Sequence, residues 1–307
     1  MSFPIARVYH PCISVQSDPS AAEPSLRHGY AEVNRVRLHY VAQGRGRLIL
    51  FLHGFPEFWY GWKELLPEFA KDHQTVAVDM RGYNLSSVPS SLDAYQISTL
   101  VEDVRALAEK LSAEKFVLVG HDWGGVIAWY FAAAHPELLR KLVIINAPHP
   151  TVFARELANN PQQQQASSYF NLFSNPEAES VLSQNDFALP QAVVFTGGWA
   201  SEADRQAYLE CWRRGLTGGL NYYRAANLKS VLAGEKSDQG RFASLTRAIS
   251  VPTLVIWGEK DIALLTGNLD GLDQHVENLQ IHRLPTAGHF VVHEQPAAVI
   301  DAMRHFL

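Results

Sequence analysis

The amino-acid sequence predicts an α/β fold with a mostly parallel, doubly wound sheet and a helical insertion. Short apolar runs without alternation are typical of parallel strands that are buried on both faces. Helical patterns lie between successive runs, which favours a sheet with helices on both sides. The apolar runs cover residues 48–52, 75–78, 116–119, 142–145, 253–257 and 279–284.

The other elements of the predicted core have their own signatures. Alternating apolar and polar side chains over residues 28–42 predict a two-stranded hairpin that turns at residues 34–35. Thr99 and Glu102 have the spacing of a capping box at the start of a helix. Residues 123–134 are apolar all round, which is typical of a helix that packs on a sheet.

The alternation of strand and helix stops after Asn146. The residues that follow hold a glutamine-rich loop, several aromatic residues and helical patches. We therefore predict a core domain in two parts, residues 1–146 and 241–307, and a helical lid over residues 147–240. Residues 1–25 show no clear period and predict a loosely packed arm.

Composition and charge argue against several classes of protein. The formal net charge is only −5, and no basic stripe indicates a nucleic-acid partner. The apolar runs are far shorter than the roughly 20 residues of a membrane span, and the first residues lack the apolar stretch of a signal peptide. Cys12 and Cys211 are the only cysteines, so no disulfide framework is predicted. We expect a cytoplasmic protein without a membrane partner.

No known metal or dinucleotide motif occurs in the sequence. The histidines show no spacing such as His-Glu-x-x-His, and no Gly-x-Gly-x-x-Gly follows a predicted strand. We therefore predict no metal and no cofactor.

The segment Gly-His-Asp-Trp-Gly over residues 120–124 follows an apolar run and precedes an apolar helix. Its Gly-x-Asp-x-Gly frame has the spacing of a nucleophile elbow, a sharp turn that presents its central side chain at the carboxyl end of the sheet. The segment predicts that Asp122 is a nucleophile, since a carboxylate needs no base for a first attack. The alternative is that Asp122 only caps the helix.

Three further segments complete a predicted catalytic set. In an elbow fold the loop after an early strand and the residue after the nucleophile supply backbone N–H groups to an oxyanion hole, here Phe55 and Trp123. We expect Pro56 to fix this loop through a cis bond. Asp261 and His289 each follow an apolar run, in the order nucleophile, acid, histidine. His289 is the predicted general base, and Asp261 would orient it.

Asp79 and Arg81 also follow an apolar run. For these residues we predict a structural role, in which a buried Asp79–Arg81 pair braces the loop.

The sequence resembles the α/β-hydrolase epoxide hydrolases over residues 28–307. This resemblance implies the α/β-hydrolase fold, with an eight-stranded sheet and a helical lid. Most of the matching stretches are shared with haloalkane and haloacetate dehalogenases, so they indicate the superfamily better than the reaction. They are residues 53–59, 79–83, 120–125, 146–149 and 288–290.

The lid distinguishes the epoxide hydrolases from the dehalogenases. In the epoxide hydrolases two lid tyrosines donate hydrogen bonds to the epoxide oxygen, and the resemblance assigns this role to Tyr169 and Tyr223, with Tyr222 as an alternative to Tyr223. Haloalkane dehalogenases usually carry Asn, or sometimes Glu, where this chain has Phe55. Haloacetate dehalogenases carry Arg at the position of Trp123.

The resemblance therefore implies hydrolysis of an apolar epoxide by water to a vicinal diol, through an ester on Asp122. Aromatic residues near the motifs suggest an apolar pocket. The predicted pocket residues are Phe58, Trp59, Phe173, Trp199 and Phe290. The alternatives are a dehalogenase that uses the same nucleophile and a non-catalytic ligand-binding protein of the same fold.

Overall fold

Eight strands form one sheet in the computed structural model, which describes residues 25–112, 114–234, 245 and 247–307. Their order across the sheet is β1-β2-β4-β3-β5-β6-β7-β8. All six apolar runs are strands, as predicted. The strands are β1 (Arg27–Val33), β2 (Val36–Gly44), β3 (Arg47–Leu52), β4 (His73–Val78), β5 (Phe116–His121), β6 (Leu139–Ile145), β7 (Thr253–Gly258) and β8 (Leu279–Leu284).

The predicted hairpin is present at one edge of the sheet. Strands β1 and β2 pair in antiparallel fashion and are joined by Asn34 and Arg35, which have φ angles of +43° and +64°. Strand β2 also runs antiparallel to β4, and every later pairing from β3 to β8 is parallel. The carboxyl ends of the parallel strands therefore meet at one edge, where ligands bind in open α/β sheets.

Helices cover both faces of the sheet because successive strand residues point to opposite sides. On one face Leu50 and Leu118 pack with α2 (Ile97–Leu111) and α3 (Trp123–Ala134). On the other face Phe51 and Val119 pack with α1 (Leu65–Phe69) and α13 (Pro296–Phe306). Both layers are buried, which explains why the strands lack polar alternation. These helices are α1 (Leu65–Phe69), α2 (Ile97–Leu111), α3 (Trp123–Ala134), α12 (Val291–Glu294) and α13 (Pro296–Phe306).

Helices and turns make up the described chain between β6 and the end of α11. We call this segment the insertion. Its helices are α4 (Pro150–Asn159), α5 (Pro161–Ala166), α6 (Tyr169–Phe173), α7 (Ala178–Leu182), α8 (Gln184–Val194), α9 (Glu202–Trp212), α10 (Thr217–Ala225) and α11 (Leu228–Leu232). The predicted boundary at residue 240 and all but the last residue of the predicted N-terminal arm lie outside the described residues. Within the described ranges, none of the helices combines the length and apolarity that crossing a bilayer requires.

Two local predictions are wrong. Helix α2 begins at Ile97, two residues before Thr99, so Thr99 and Glu102 do not form a capping box at its start. The Asp79–Arg81 pair does not form either, because Arg81 reaches α2 and binds Asp103 through Nε at 2.6 Å and Nη2 at 2.7 Å.

The oxygens of Asp79 have other donors. They bond the His39 ring at 2.6 Å, the backbone N–H of Trp59 at 2.9 Å and the Asn84 amide at 2.8 Å. Both Asp79 and Arg81 are thus buried and paired, but each with a partner from a different element.

Candidate active site

Asp122 occupies a strained turn between β5 and α3. Its φ of +49° and ψ of −122° lie in a region that side chains other than glycine rarely adopt. The turn brings α3 close to the neighbouring strand, since a Cβ at Gly124 would lie 2.2 Å from the Leu52 carbonyl oxygen. This close approach explains the glycine after Asp122 in the elbow frame.

The loop after β3 holds one oxygen of Asp122. The backbone N–H of Phe55 donates to Asp122 Oδ1 at 2.8 Å. The loop is closed by the Glu57 N–H, which donates to the Gly54 carbonyl at 3.1 Å, and the Phe55–Pro56 bond is cis, as predicted. A side chain at Gly54 would collide with Asp122, because its Cβ would lie 2.4 Å from Asp122 Oδ1.

His289 lies between two carboxylates at the carboxyl edge of the sheet. Its Nδ1 bonds Asp261 Oδ2 at 2.7 Å, which leaves its Nε2 3.7 Å from Asp122 Oδ2. Burial lowers the pKa of His289, but the charges of Asp261, Asp122 and Glu57 outweigh burial and raise this pKa to about 9. The Asp122 and His289 side chains are both mostly buried, each with 13% exposure.

Asp261 is fully buried and held ionised by donors. Its Oδ1 accepts the backbone N–H groups of Ala263 and Leu264 at 2.8 and 2.9 Å, and its Oδ2 accepts the Asn146 amide at 2.8 Å. Burial raises the pKa of Asp261, but His289 and these donors lower it below the ordinary value. The carboxylate can therefore orient His289 and stabilise its protonated form.

A second buried carboxylate, Glu57, lies behind His289. Glu57 Oε2 bonds His121 Nδ1 at 3.0 Å, and the other nitrogen of His121 bonds the His289 carbonyl oxygen at 2.9 Å. Glu57 Oε1 accepts from Tyr208 at 2.7 Å and bonds His293 at 2.6 Å. Burial raises the pKa of Glu57, yet the two histidines hold it well below the ordinary value.

Tyr169 on α6 and Tyr223 on α10 meet above the elbow, with ring centroids 6.2 Å apart. Burial and the Asp122 charge raise both pKa values well above the ordinary value, so both phenols stay protonated donors. Tyr222 is turned elsewhere, because its hydroxyl donates to the Arg81 carbonyl at 2.8 Å. Of the two adjacent tyrosines, Tyr223 is the one whose pKa is raised by the Asp122 charge, and a hydrogen bond with the Trp123 side chain also acts on its hydroxyl.

The predicted aromatic residues fall into two groups. Phe173 contacts Phe55, Tyr169 and Tyr223, with centroids 5.0 to 5.2 Å apart, and Tyr223 lies edge-on to Trp123 at 5.1 Å. Phe290 lies edge-on to His289 at 5.1 Å, beside the same site.

The second group gathers around Tyr208 on α9 instead. Phe58 lies edge-on to the Tyr208 ring at 5.3 Å, and Trp59 contacts Phe58 at 6.2 Å. Trp199 stacks on His293 at 3.9 Å. The structure thus brings these three predicted pocket residues together with each other and with the Glu57 network.

Sequence reasoning missed Asn146, Glu57, His121 and His293. Each of the first three lies inside a stretch that resembles the epoxide hydrolases. The polar side chains within these stretches were therefore the signal that could have identified them as site residues. The described ranges contain no group of three or more His, Cys, Asp or Glu side chains placed to hold a metal ion.

Comparison with known proteins gives a consistent family. Residues 47–296 match the alpha/beta hydrolase fold family. Epoxide hydrolase 4 of Mus musculus is 34% identical over 313 residues, which cover 96% of this chain and 84% of that protein. Epoxide hydrolase 3 of Xenopus tropicalis is 36% identical over 297 residues, which cover 92% and 78%.

Among solved structures, a mutant epoxide hydrolase from Bacillus megaterium in complex with its naphthyloxy-propanediol product is 38% identical. It superposes with a TM-score of 0.85 over 91% of this chain and 99% of that chain. The chain therefore belongs to the alpha/beta hydrolase fold family and, within it, to the epoxide hydrolases.

Proposed function

We propose that this protein hydrolyses an apolar epoxide to a vicinal diol through an alkyl ester on Asp122. The proposal rests on one observation, namely that the two Asp122 oxygens have different neighbours. Oδ1 accepts the Phe55 N–H at 2.8 Å, while Oδ2 faces His289 Nε2 at 3.7 Å. Oδ2 is therefore the attacking atom, and Oδ1 becomes the carbonyl oxygen of the ester.

In the first step Oδ2 attacks an epoxide carbon from its back side. The new bond joins Oδ2 to that carbon, and the carbon–oxygen bond of the ring breaks with its electron pair moving to the ring oxygen. Tyr169 and Tyr223 hydrogen-bond that oxygen and supply its proton, which solvent then restores. Preorganised donors of this kind can each contribute about 2.7–4 kcal/mol.

In the second step water cleaves the ester. Its oxygen attacks Asp122 Cγ, and its proton passes to His289 Nε2. The backbone N–H groups of Phe55 and Trp123 stabilise the oxyanion that forms on Oδ1. The Cγ–Oδ2 bond then breaks, and Oδ2 leaves in the diol with the proton from His289. The Asp122 carboxyl releases the second proton of the water to solvent, which balances the proton taken up in the first step and restores the carboxylate.

The loss of charge on Asp122 prepares the base for this step. The Asp122 carboxylate is one of the charges that raise the pKa of His289. An ester at this position is neutral, so the pKa of His289 falls and the imidazole can accept a proton from water. Asp261 then stabilises the imidazolium.

The surroundings of the site favour an apolar epoxide. Phe55, Trp123 and Phe173 contact the two tyrosines, and the relative from Bacillus megaterium holds an aryl-bearing diol product. A pair of phenol donors suits an epoxide oxygen that stays in the product and gains a proton. We propose that the insertion is the lid of this site, that no nucleic acid, membrane or metal takes part, and that the protein is cytoplasmic.

Oxygen labelling in one turnover tests the proposed function. With enzyme in excess over styrene oxide in ¹⁸O-water, the label is expected on Asp122 and not in the diol, because Oδ2 enters the product. Peptide mass spectrometry locates the label on the protein. Label in the diol after one turnover would reject the ester, and halide release from haloalkanes without diol formation would favour the dehalogenase alternative.

A further inference from the structure

Helix α9 of the insertion is fastened to the core along one face. Asp204, Tyr208 and Trp212 are spaced by four residues and therefore share that face. Trp212 Nε1 donates to the Pro56 carbonyl at 2.7 Å, and Tyr208 donates to Glu57 at 2.7 Å. Asp204 accepts from Tyr60 at 3.0 Å and binds Lys63.

The core residues that bind this face of α9 all lie within residues 56–63, the segment that follows Phe55. The Pro56 carbonyl belongs to the residue that is joined to Phe55, whose N–H donates to Asp122 Oδ1. Trp212 is 1% exposed, and its indole N–H is a donor only. Its bond to Pro56 therefore fixes the Pro56–Glu57 peptide unit, which is separated from the Phe55 N–H only by the Phe55–Pro56 peptide unit.

We propose that Trp212 is a positioning residue for the oxyanion hole, an inference that rests on the proposed function. The insertion thereby contributes to ester hydrolysis as well as to substrate binding. Trp212 touches neither substrate nor the reacting atoms, and it acts through the Pro56 carbonyl on the position of the Phe55 N–H.

The two chemical steps depend on that position differently. In ring opening Asp122 loses negative charge, so the bond from the Phe55 N–H weakens as the reaction proceeds. In ester hydrolysis the full oxyanion forms on Oδ1, and the same bond strengthens. A displaced Phe55 N–H therefore slows hydrolysis, and the alkyl ester accumulates.

A purely structural role makes a different prediction. The Trp212 ring packs against Phe187, Phe195 and Tyr208, with centroids 5.6 to 5.8 Å apart. A packing role needs the ring but not its N–H group. Replacement of Trp212 by 3-benzothienylalanine keeps the size and shape of the ring and puts sulfur in place of the N–H, so it separates the two roles.

The experiment measures both steps in single turnovers of styrene oxide, with alkyl-enzyme followed by intact mass and diol by chromatography. For the benzothienyl protein and for Trp212→Phe we expect ester hydrolysis to slow roughly tenfold or more, as for a small misplacement of a reacting group. Ring opening should stay within about twofold of the unmodified rate, as expected for a step that does not build charge on Oδ1.

Tyr60→Phe is the matched control, because it deletes a hydrogen bond at the other end of the same face of α9. Both steps should keep their rates in this variant. Hydrolysis by the benzothienyl protein at the unmodified rate, or equal slowing in Tyr60→Phe, would overturn the positioning role. Absence of diol with the unmodified protein would instead overturn the proposed function, and the inference with it.

Discussion

The side-chain amide of Asn146 donates to Asp261 Oδ2 at 2.8 Å, while its oxygen accepts the Gly258 N–H at 2.8 Å. Asn146 follows β6, and Asp261 follows its parallel neighbour β7. One amide therefore ties the ends of two adjacent strands and holds the carboxylate that bonds His289.

Asn146→Asp tests this tie with little change in shape. At low pH the introduced carboxyl is protonated and can still donate to Asp261. As pH rises, two adjacent buried carboxylates repel each other and disturb the pairing with His289. We expect the ester-hydrolysis rate of the variant, relative to the unmodified protein, to fall as pH rises from about 6 to 9. A pH-independent ratio would contradict this role of the amide.

His289→Gln should separate the two chemical steps. In the proposed mechanism, ring opening needs Asp122 and the tyrosines, whereas ester hydrolysis needs a base for water. The variant should accumulate one alkyl adduct per protein, which intact mass spectrometry measures after addition of styrene oxide. Asp122→Asn is the control and should form no adduct. An adduct-free His289→Gln protein that still binds substrate would remove His289 from the proposed base role.

Replacement of Tyr169 or Tyr223 should affect the reaction, whereas replacement of Tyr222 should affect stability. Tyr169→Phe and Tyr223→Phe should each slow ring opening, by on the order of a hundredfold for the loss of one preorganised donor. Tyr222→Phe should leave ring opening unchanged and lower the free energy of unfolding by about 1–3 kcal/mol, since the Arg81 carbonyl loses its buried donor. Stopped-flow single turnovers and denaturant unfolding measure the two effects. Slowing in Tyr222→Phe alone would reverse the assignment.

The pKa of His289 should depend on the charge at position 122. The pKa is raised to about 9 in part by the Asp122 carboxylate, so Asp122→Asn should lower it. A raised histidine pKa stabilises the fold below the unfolded value of about 6.5 and loses this contribution as pH rises through about 9. The stability gained on going from pH 9 to pH 6 should therefore shrink in Asp122→Asn. Nuclear magnetic resonance of labelled histidine gives the pKa directly, and an unchanged value would contradict the coupling.

Arg81→Met should destabilise the fold without touching the reacting groups. It leaves Asp103 buried, and the Asn34 amide, at 2.9 Å, is then its one side-chain donor among the described residues. Loss of one member of a buried ion pair costs about 3–5 kcal/mol of unfolding free energy. Arg105→Met is the control, because Arg105 pairs at the surface with Glu102 and Glu109 and should cost under about 1 kcal/mol. Equal effects in the two variants would refute the distinction.

Local signals explain what could be predicted from the sequence. A strand buried on both faces shows itself as an apolar run, and the glycine that Asp122 needs beside it is visible in the elbow frame. The proline that permits a cis bond after Phe55 and the asparagine that tolerates a positive φ in the hairpin turn are local signals of the same kind.

Pairings between distant segments could not be predicted. Arg81 has a carboxylate two residues away, yet its partner Asp103 lies on α2, and only the packing of that helix decides between them. Asn146 meets Asp261 because β6 and β7 are neighbours, although the insertion separates them along the chain. The contact between α9 and Pro56 could not be predicted either, because a tryptophan in a helix predicts burial but not the acceptor of its N–H.

The close approach of Gly54 to Asp122 also helps to judge from sequence whether a distant homologue is active. A Cβ at this position would lie 2.4 Å from Asp122 Oδ1, so even alanine would displace this carboxylate. On the proposed mechanism, a paralogue that retains the elbow aspartate but has lost this one glycine is therefore expected to be inactive, and its sequence alone would indicate this.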